Sequence, residues 1–259
     1  MPDVIFADIA LLGVVMVLAH VFHNRFNSLA SDVVLVACGL LLALYFIDTP
    51  AQGFVFVLGA LSGYTIEYFG VYTRAWRYNS KNGYSNWTGT GWGLLTLVIY
   101  KSMSLSWAIL LVLLVAALVI VFRKVRNNNI RDWFDVLDFA VRGLAFFIAP
   151  ELFVLAFSLG IFVEYIGTEV FPTWKYPTIR YLNIGTGYSL LVIFTILLSE
   201  YLFGLREVTA APLVVIALFV LVYAFDVVRS APEGGWLRRW TSNLSPQPPH
   251  QSGEGEAKV

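Results

Sequence analysis

The sequence predicts an all-α polytopic membrane bundle of about nine spans, made of two parallel four-helix repeats behind an N-terminal helix. Three observations carry this. Of 259 residues, 58% are hydrophobic and 13% charged, and the mean hydropathy is +0.73, well beyond the apolar share of a soluble domain. Apolar runs of about the length needed to cross a bilayer follow one another along the chain. Most telling is an internal repeat. Gly63, Glu67, Tyr68, Gly70, Trp76, Tyr78 and Gly89-Thr90-Gly91 return as Gly160, Glu164, Tyr165, Gly167, Trp174, Tyr176 and Gly185-Thr186-Gly187. The copies lie 97 residues apart at the glutamates, 98 at the tryptophans and 96 at Gly-Thr-Gly, a drift that small loop insertions explain.

The apolar runs cover residues 4–22, 32–46, 53–71, 87–100, 105–122, 133–150, 151–168, 184–203 and 211–228. The first follows Met1-Pro2-Asp3-Val4, which lacks the basic region of a cleavable signal peptide, so it is expected to persist as a span. The fourth is short, and only its repeat counterpart at 184–203 argues that it crosses. Runs two to five form the first repeat and six to nine the second. The chain thus divides into an N-terminal transmembrane helix (1–30), repeat 1 (31–126), repeat 2 (127–229) and a tail (230–259). In the tail, Trp236, Leu237, Arg238, Arg239 and Trp240 have the make-up of an interfacial anchor. Beyond them Ser, Pro, Gly, Glu and Gln dominate, a composition expected to stay disordered.

Charge orients the spans, because short cytoplasmic loops carry the excess of Lys and Arg. If the loop holding Arg123, Lys124, Arg126 and Arg131 is cytoplasmic, counting spans outward puts every other Lys and Arg on that side except Lys101, Arg206 and the intramembrane Arg142, leaving 14 of 17 inside. The expected topology is a multi-pass protein of the plasma (inner) membrane, with its N-terminus outside and its C-terminus cytoplasmic. Zero formal net charge leaves no basic surface for nucleic acid. The single cysteine, Cys38, excludes an intrachain disulfide and any cysteine-rich metal site.

At 100° per residue, Gly63, Glu67 and Gly70 share a sector about 60° wide, and Gly160, Glu164 and Gly167 repeat it. An intramembrane carboxylate is costly unless it meets a partner or a cavity, and flanking glycines let a helix or ligand come close. Glu67 and Glu164 are therefore either structural hydrogen-bonding groups at the repeat interface or a pair of acids converging on one site. Trp76-Arg77-Tyr78 and Trp174-Lys175-Tyr176 are open to two readings as well. They suit an aromatic belt at the interface. They also suit a lining, with Tyr68 and Tyr165, that holds a cation by cation–π attraction.

His20 and His23 have metal-binding or proton-carrying spacing, or an ordinary interfacial role. Asp132, Asp135 and Asp138 open the sixth run; the first two suit a helix N-terminus. Asp138 and Arg142, four residues apart on one face, are expected to form a structural intramembrane ion pair. No metal and no cofactor is expected.

Glu67-Tyr68-Phe69-Gly70-Val71-Tyr72-Thr73, followed by Trp76 and Tyr78, resembles the Glu-x-x-Gly-(Val/Thr)-x-Thr signature of integral-membrane carotenoid hydratases. The resemblance covers about thirty residues of each repeat. It departs from the family at Asn79-Ser80-Lys81-Asn82-Gly83, where the family has a Gly-rich, Pro-containing return. The plan is also similar to that of duplicated lycopene cyclases, whose proline-acidic motif is absent. The resemblance implies that Glu67 is the proton donor and Glu164 its partner by repeat symmetry. The reaction would be cofactor-free hydration or cyclisation of a carotenoid or other polyisoprenoid that enters from the bilayer. Two alternatives stand beside it. One is a transporter or lipid-binding protein with a paired Glu/aromatic site. The other is a membrane prenyltransferase using Asp132, Asp135 and Asp138 on magnesium diphosphate, although a second aspartate cluster is missing.

Overall fold

The structure is a computed structural model that describes residues 2–26, 28–72, 76–79, 85–125, 133–176, 181–204, 213–218 and 220–221. In order these form α1 (Pro2–Phe26), α2 (Leu29–Phe46), α3 (Pro50–Tyr72), β1 (Arg77–Tyr78), α4 (Trp87–Lys101), α5 (Trp107–Val125), α6 (Trp133–Gly143), a 3₁₀ turn (Leu144–Phe147), α7 (Pro150–Tyr165), a π turn (Ile166–Val170), β2 (Trp174–Lys175) and α8 (Tyr181–Leu202). Residues 213–218 are also helical. The fold is an all-α membrane bundle.

Short polar motifs set where several helices begin. The Ser28 hydroxyl accepts from Ser31 N at 3.2 Å while Ser28 N donates to Ser31 Oγ at 3.0 Å, a reciprocal cap that starts α2. Thr49 and Gln52 do the same for α3, with Gln52 N donating to Thr49 Oγ1 at 3.3 Å and Thr49 N to Gln52 Oε1 at 3.2 Å. Pro50 follows at the first helical position, where its missing N–H costs nothing. Pro150 opens α7 in the same way.

Among the described residues, six helices are long and apolar enough to cross a membrane: Ala7–Phe26, Leu29–Phe46, Pro50–Tyr72, Trp107–Lys124, Pro150–Val170 and Leu182–Leu202. Two of the nine expected runs give shorter helices. The 15 residues of α4 and the 11 of α6 span about 22 and 16 Å at 1.5 Å per residue, less than the ~30 Å of hydrocarbon. The ninth run is described only at 213–218 and 220–221, and residues 126–132 and the tail lie outside the described residues. Burial sorts the helices: α4 is buried nearly all round, while α2 and α5 present Leu41, Leu44, Tyr45, Leu111, Val112 and Phe122 outward. An apolar outer surface of this extent fits lipid rather than water.

Helix neighbours correspond between the two sequence copies. α3 lies on α4 as α7 lies on α8, α2 on α4 as α6 on α8, and α3 also meets α8. The core runs through α4, α7 and α8 with Leu97, Ile99, Leu155, Ile193 and Ile196 fully buried, joined by Phe46 of α2. At one end of α4, Lys101 Nζ meets Asp48 Oδ2 at 3.0 Å and Asp8 Oδ2 at 3.7 Å. Near the other end, β1 and β2 pair antiparallel with Arg77 opposite Lys175 and Tyr78 opposite Trp174. Asn79 N extends this ladder by donating to Thr173 O at 2.8 Å.

Candidate functional site

Glu67 sits on α3, 7% exposed, and Glu164 on α7, 4% exposed. Each carboxyl group receives three side-chain donors. Glu67 Oε2 accepts from Trp76 Nε1 at 2.9 Å and Tyr78 OH at 2.6 Å, and its Oε1 from Trp92 Nε1 at 3.0 Å. Glu164 Oε2 accepts from Trp174 Nε1 at 2.8 Å and Tyr176 OH at 2.9 Å, and its Oε1 from Tyr188 OH at 2.8 Å. Among the described residues neither glutamate has an ion-pair partner. A buried carboxyl without a counter-charge needs several donors to replace water, and each cluster supplies them from two segments, the short strand region and the helix that follows it.

The glycines explain how bulky rings reach the carboxyl groups. A Cβ on Gly63 would overlap the Trp92 side chain, and one on Gly70 the Trp76 ring. On the other side, a Cβ on Gly160 would come within 2.5 Å of Tyr188 Cγ, and one on Gly167 would overlap Trp174. With glycine one turn before the glutamate and three residues after it, an aromatic ring lies flat on the helix on either side and aims its N–H or O–H at the acid.

The clusters touch. Trp92 and Tyr188 stack with centroids 4.2 Å apart and planes at 23°. Trp76 lies 5.8 Å from Tyr176, and Tyr78 lies 5.9 Å from Trp174. The first joins two counterparts, and the other two interchange the Trp and Tyr of the paired motifs. Burial, and next the adjacent Glu67 carboxyl, push the Tyr78 phenol well above the ordinary tyrosine range, and burial followed by Glu164 does the same to Tyr176. Both phenols therefore keep their protons at neutral pH and remain donors.

A cavity of about 40 Å³ borders both clusters, lined by Glu67 and Trp92 of one, by Trp174 and Tyr188 of the other, and by His20, Trp87, Thr88 and apolar residues. His20 Nδ1 is 2.9 Å from Thr173 Oγ1, and His23 Nδ1 is 3.2 Å from Asp32 Oδ1. Asp32 Oδ2 in turn accepts from Asn86 N at 3.0 Å and Asn86 Nδ2 at 3.3 Å. Both histidines are buried, at 0% and 2% exposure. Among the described residues no three His, Cys, Asp or Glu side chains are placed to share a metal ion.

Of the residues singled out from sequence, Glu67, Trp76, Tyr78, Glu164, Trp174 and Tyr176 are brought together. Tyr68 and Tyr165 are not. Each follows its glutamate by 100° of helix turn; Tyr68 is 59% exposed and stacks on Tyr72, and Tyr165 packs partly buried beside Ala117 and Val121. The carboxyl groups of Asp135 and Asp138, and all of Asp132, lie outside the described residues, so the Asp138–Arg142 pair does too. Arg142 Nη1 donates to Asn183 O at 3.1 Å. Sequence reasoning missed Trp92 and Tyr188. Their signal was present, since each follows a Gly-Thr-Gly, 96 residues apart like those motifs. It also missed that His20 of α1 joins the centre, for which no local pattern exists. No family model, no curated protein and no solved structure matches the chain.

Proposed function

We propose that the paired clusters are the centre of a membrane enzyme that performs cofactor-free acid chemistry on a terminal alkene of a polyisoprenoid lipid of the carotenoid type. One observation carries the reading: two buried carboxyl groups without a counter-charge among the described residues, each ringed by aromatic side chains that touch across the pair. A carboxylic acid delivers the proton, and indole and phenol faces hold the resulting carbocation by quadrupole attraction. Hydration or loss of a neighbouring proton completes the turnover. The alkene terminus reaches the cavity that Glu67 lines while the rest of the substrate stays in lipid. The two clusters belong to parallel repeats, in a nine-span arrangement with the N-terminus outside. The opposite placement of the Lys101–Asp48 pair and the β1–β2 pair along α4 supports α4 as one of these spans.

The test is Glu67→Gln and Glu164→Gln in cells producing an acyclic carotenoid. Gln keeps shape and hydrogen bonding but carries no acidic proton, and loss of general acid catalysis costs about 10²–10⁴-fold. Each variant is expected to accumulate in the membrane and to lose turnover. Trp76→Phe or Trp174→Phe is expected to slow the cationic step by up to roughly tenfold. Parental turnover in both Gln variants would reduce the glutamates to structural groups.

A second reading, a transporter or binding protein for a cationic lipid headgroup, is favoured by a specific feature. All six groups bonded to the two carboxyls act as donors, an arrangement suited to anions that await a positive ligand. Retention of an ammonium lipid by the purified protein, lost in both Gln variants, would select it.

A further inference from the structure

Two of the cavity-lining residues each carry a buried polar atom without a partner among the described residues: His20 at Nε2 and Trp87 at Nε1. His20 is 0% exposed and Trp87 7%, and their rings meet edge to face with centroids 5.2 Å apart. Their chemistry is complementary. The Thr173 hydroxyl donates to Phe171 O at 3.0 Å, so it accepts from His20 Nδ1–H at 2.9 Å. That fixes the tautomer and leaves Nε2 as a bare lone pair. The indole N–H of Trp87 can only donate. One hydroxyl group satisfies both, giving its proton to the imidazole and its lone pair to the indole. A water needs ~10–15 Å³ of such space, and the cavity offers about 40 Å³. A metal ion is the poorer occupant, because an indole N–H is not a ligand and no third ligating side chain joins the histidines among the described residues.

We propose that this cavity is the water site of the centre and that His20, from the helix outside both repeats, is its general base; the base role rests on the acid-chemistry reading above, the water site does not. In the hydration step Glu67 gives its proton to one alkene carbon, whose π pair forms the C–H bond and leaves a cation on the other carbon. A lone pair of the held water forms the C–O bond. One O–H bond breaks with its electron pair retained by oxygen, and the proton passes to His20 Nε2. Return of that proton from imidazolium to the Glu67 carboxylate restores the resting state without any further reactant. Thr173 is a positioning residue, since it sets which nitrogen of His20 is bare. Glu67 lines this cavity and Glu164 does not. The position that corresponds to Trp87 in the second copy holds Asn183, whose carbonyl accepts from Arg142. The extra helix thus makes two similar carboxyl groups unequal, one beside a base and water, the other without them.

Two measurements on the full-length protein in detergent test this. In the first, ¹⁵N NMR of tryptophan and histidine is read with water-selective cross-relaxation. The Trp87 indole proton is expected to show a water cross-peak that Trp87→Phe identifies and His20→Phe removes, with His20 in the Nδ1–H form. A Trp87 indole without that cross-peak, or His20 protonated at Nε2, would overturn the water site. In the second, the protein is given an acyclic carotenoid in H₂¹⁸O or in D₂O. His20→Gln is expected to lose ¹⁸O incorporation by about 10²-fold or more while deuterium still enters the alkene carbon. Thr173→Val, which spares His20, is expected to lower ¹⁸O uptake and to populate the other histidine tautomer. Parental ¹⁸O uptake in His20→Gln would overturn the base role. If the parent takes up no deuterium, the base role falls together with the acid-chemistry reading, and the NMR result decides the water site by itself.

Discussion

Tyr78, Tyr176 and Tyr188 differ from the tryptophans around the same carboxyl groups in one respect that matters for chemistry. An indole N–H can only donate, whereas a phenol can turn and accept. When a glutamate carries a proton, that proton needs an acceptor. Glu67 has a single phenol, Tyr78, beside two indoles, and Glu164 has two phenols beside one. Tyr78→Phe should therefore cost about 1–3 kcal/mol of stability by leaving a buried acceptor short of a donor, whereas Tyr68→Phe, on the exposed face, should stay within about 0.5 kcal/mol. Denaturant unfolding in detergent checks both, and equal effects would contradict the inward placement of Tyr78. The pH dependence follows from the raised phenols. With Tyr78 and Tyr176 held well above the ordinary value of 10.0 by burial and the neighbouring carboxyls, the native state keeps protons that the unfolded chain loses above about pH 10. Their contribution is complete below that pH and declines above it. Tyr78→Phe should flatten the alkaline decline, and a parent equally stable on both sides of pH 10 would count against the burial of the phenols.

The π turn after α7 shows how an element absorbs a sequence difference. Between glutamate and tryptophan the first copy has nine steps and the second ten. The additional residue falls where Ile166–Val170 winds as a π-helix, whose wider turn takes in one more residue than an α turn. Trp174 consequently reaches Glu164 at 2.8 Å, matching the 2.9 Å from Trp76 to Glu67. The strand pair that follows is only two residues long on each side, yet it sets how the clusters face each other. Its register is testable by crosslinking. Directly opposed residues of an antiparallel pair have Cα atoms about 4.5–5.5 Å apart, within disulfide reach. In a Cys38→Ser background, Arg77→Cys with Lys175→Cys should form a disulfide under mild oxidation, seen as protection from a mass-tagged maleimide. Arg77→Cys with Glu169→Cys should not, and the reverse result would mean a different register.

At the scale of the molecule, the contacts between clusters have the pattern of a two-fold relation. Arg77 opposes its counterpart Lys175, Trp92 stacks on its counterpart Tyr188, and the Trp76–Tyr176 and Tyr78–Trp174 contacts interchange. A site on such an axis receives one carboxyl group from each half. The proposed parallel repeats further require that equivalent loops lie on one side of the membrane. Reporter fusions at Lys81, Asn128 and Thr178 are expected to report cytoplasm in every case. A periplasmic signal at Lys81 or Thr178 alone would break the equivalence of the copies.

The sequence by itself determined that this is a helical membrane protein, and it determined the twin Gly-Glu-Gly faces and the aromatic pairs beside them. Composition is imposed by the bilayer, and one helix face is a matter of spacing along a few turns. Other features only the tertiary structure decided: the short α4 at the middle of the bundle, Tyr68 and Tyr165 turned away from the site, the Trp76 and Trp174 indoles bonded to the acids, and His20 lining the same cavity as Glu67. In water, hydrophobic periodicity separates inside from outside. In a bilayer both faces of a span are apolar, so that signal fades and packing decides which face turns inward. Contacts such as His20 with Thr173, 153 residues apart, exist only once the helices have assembled.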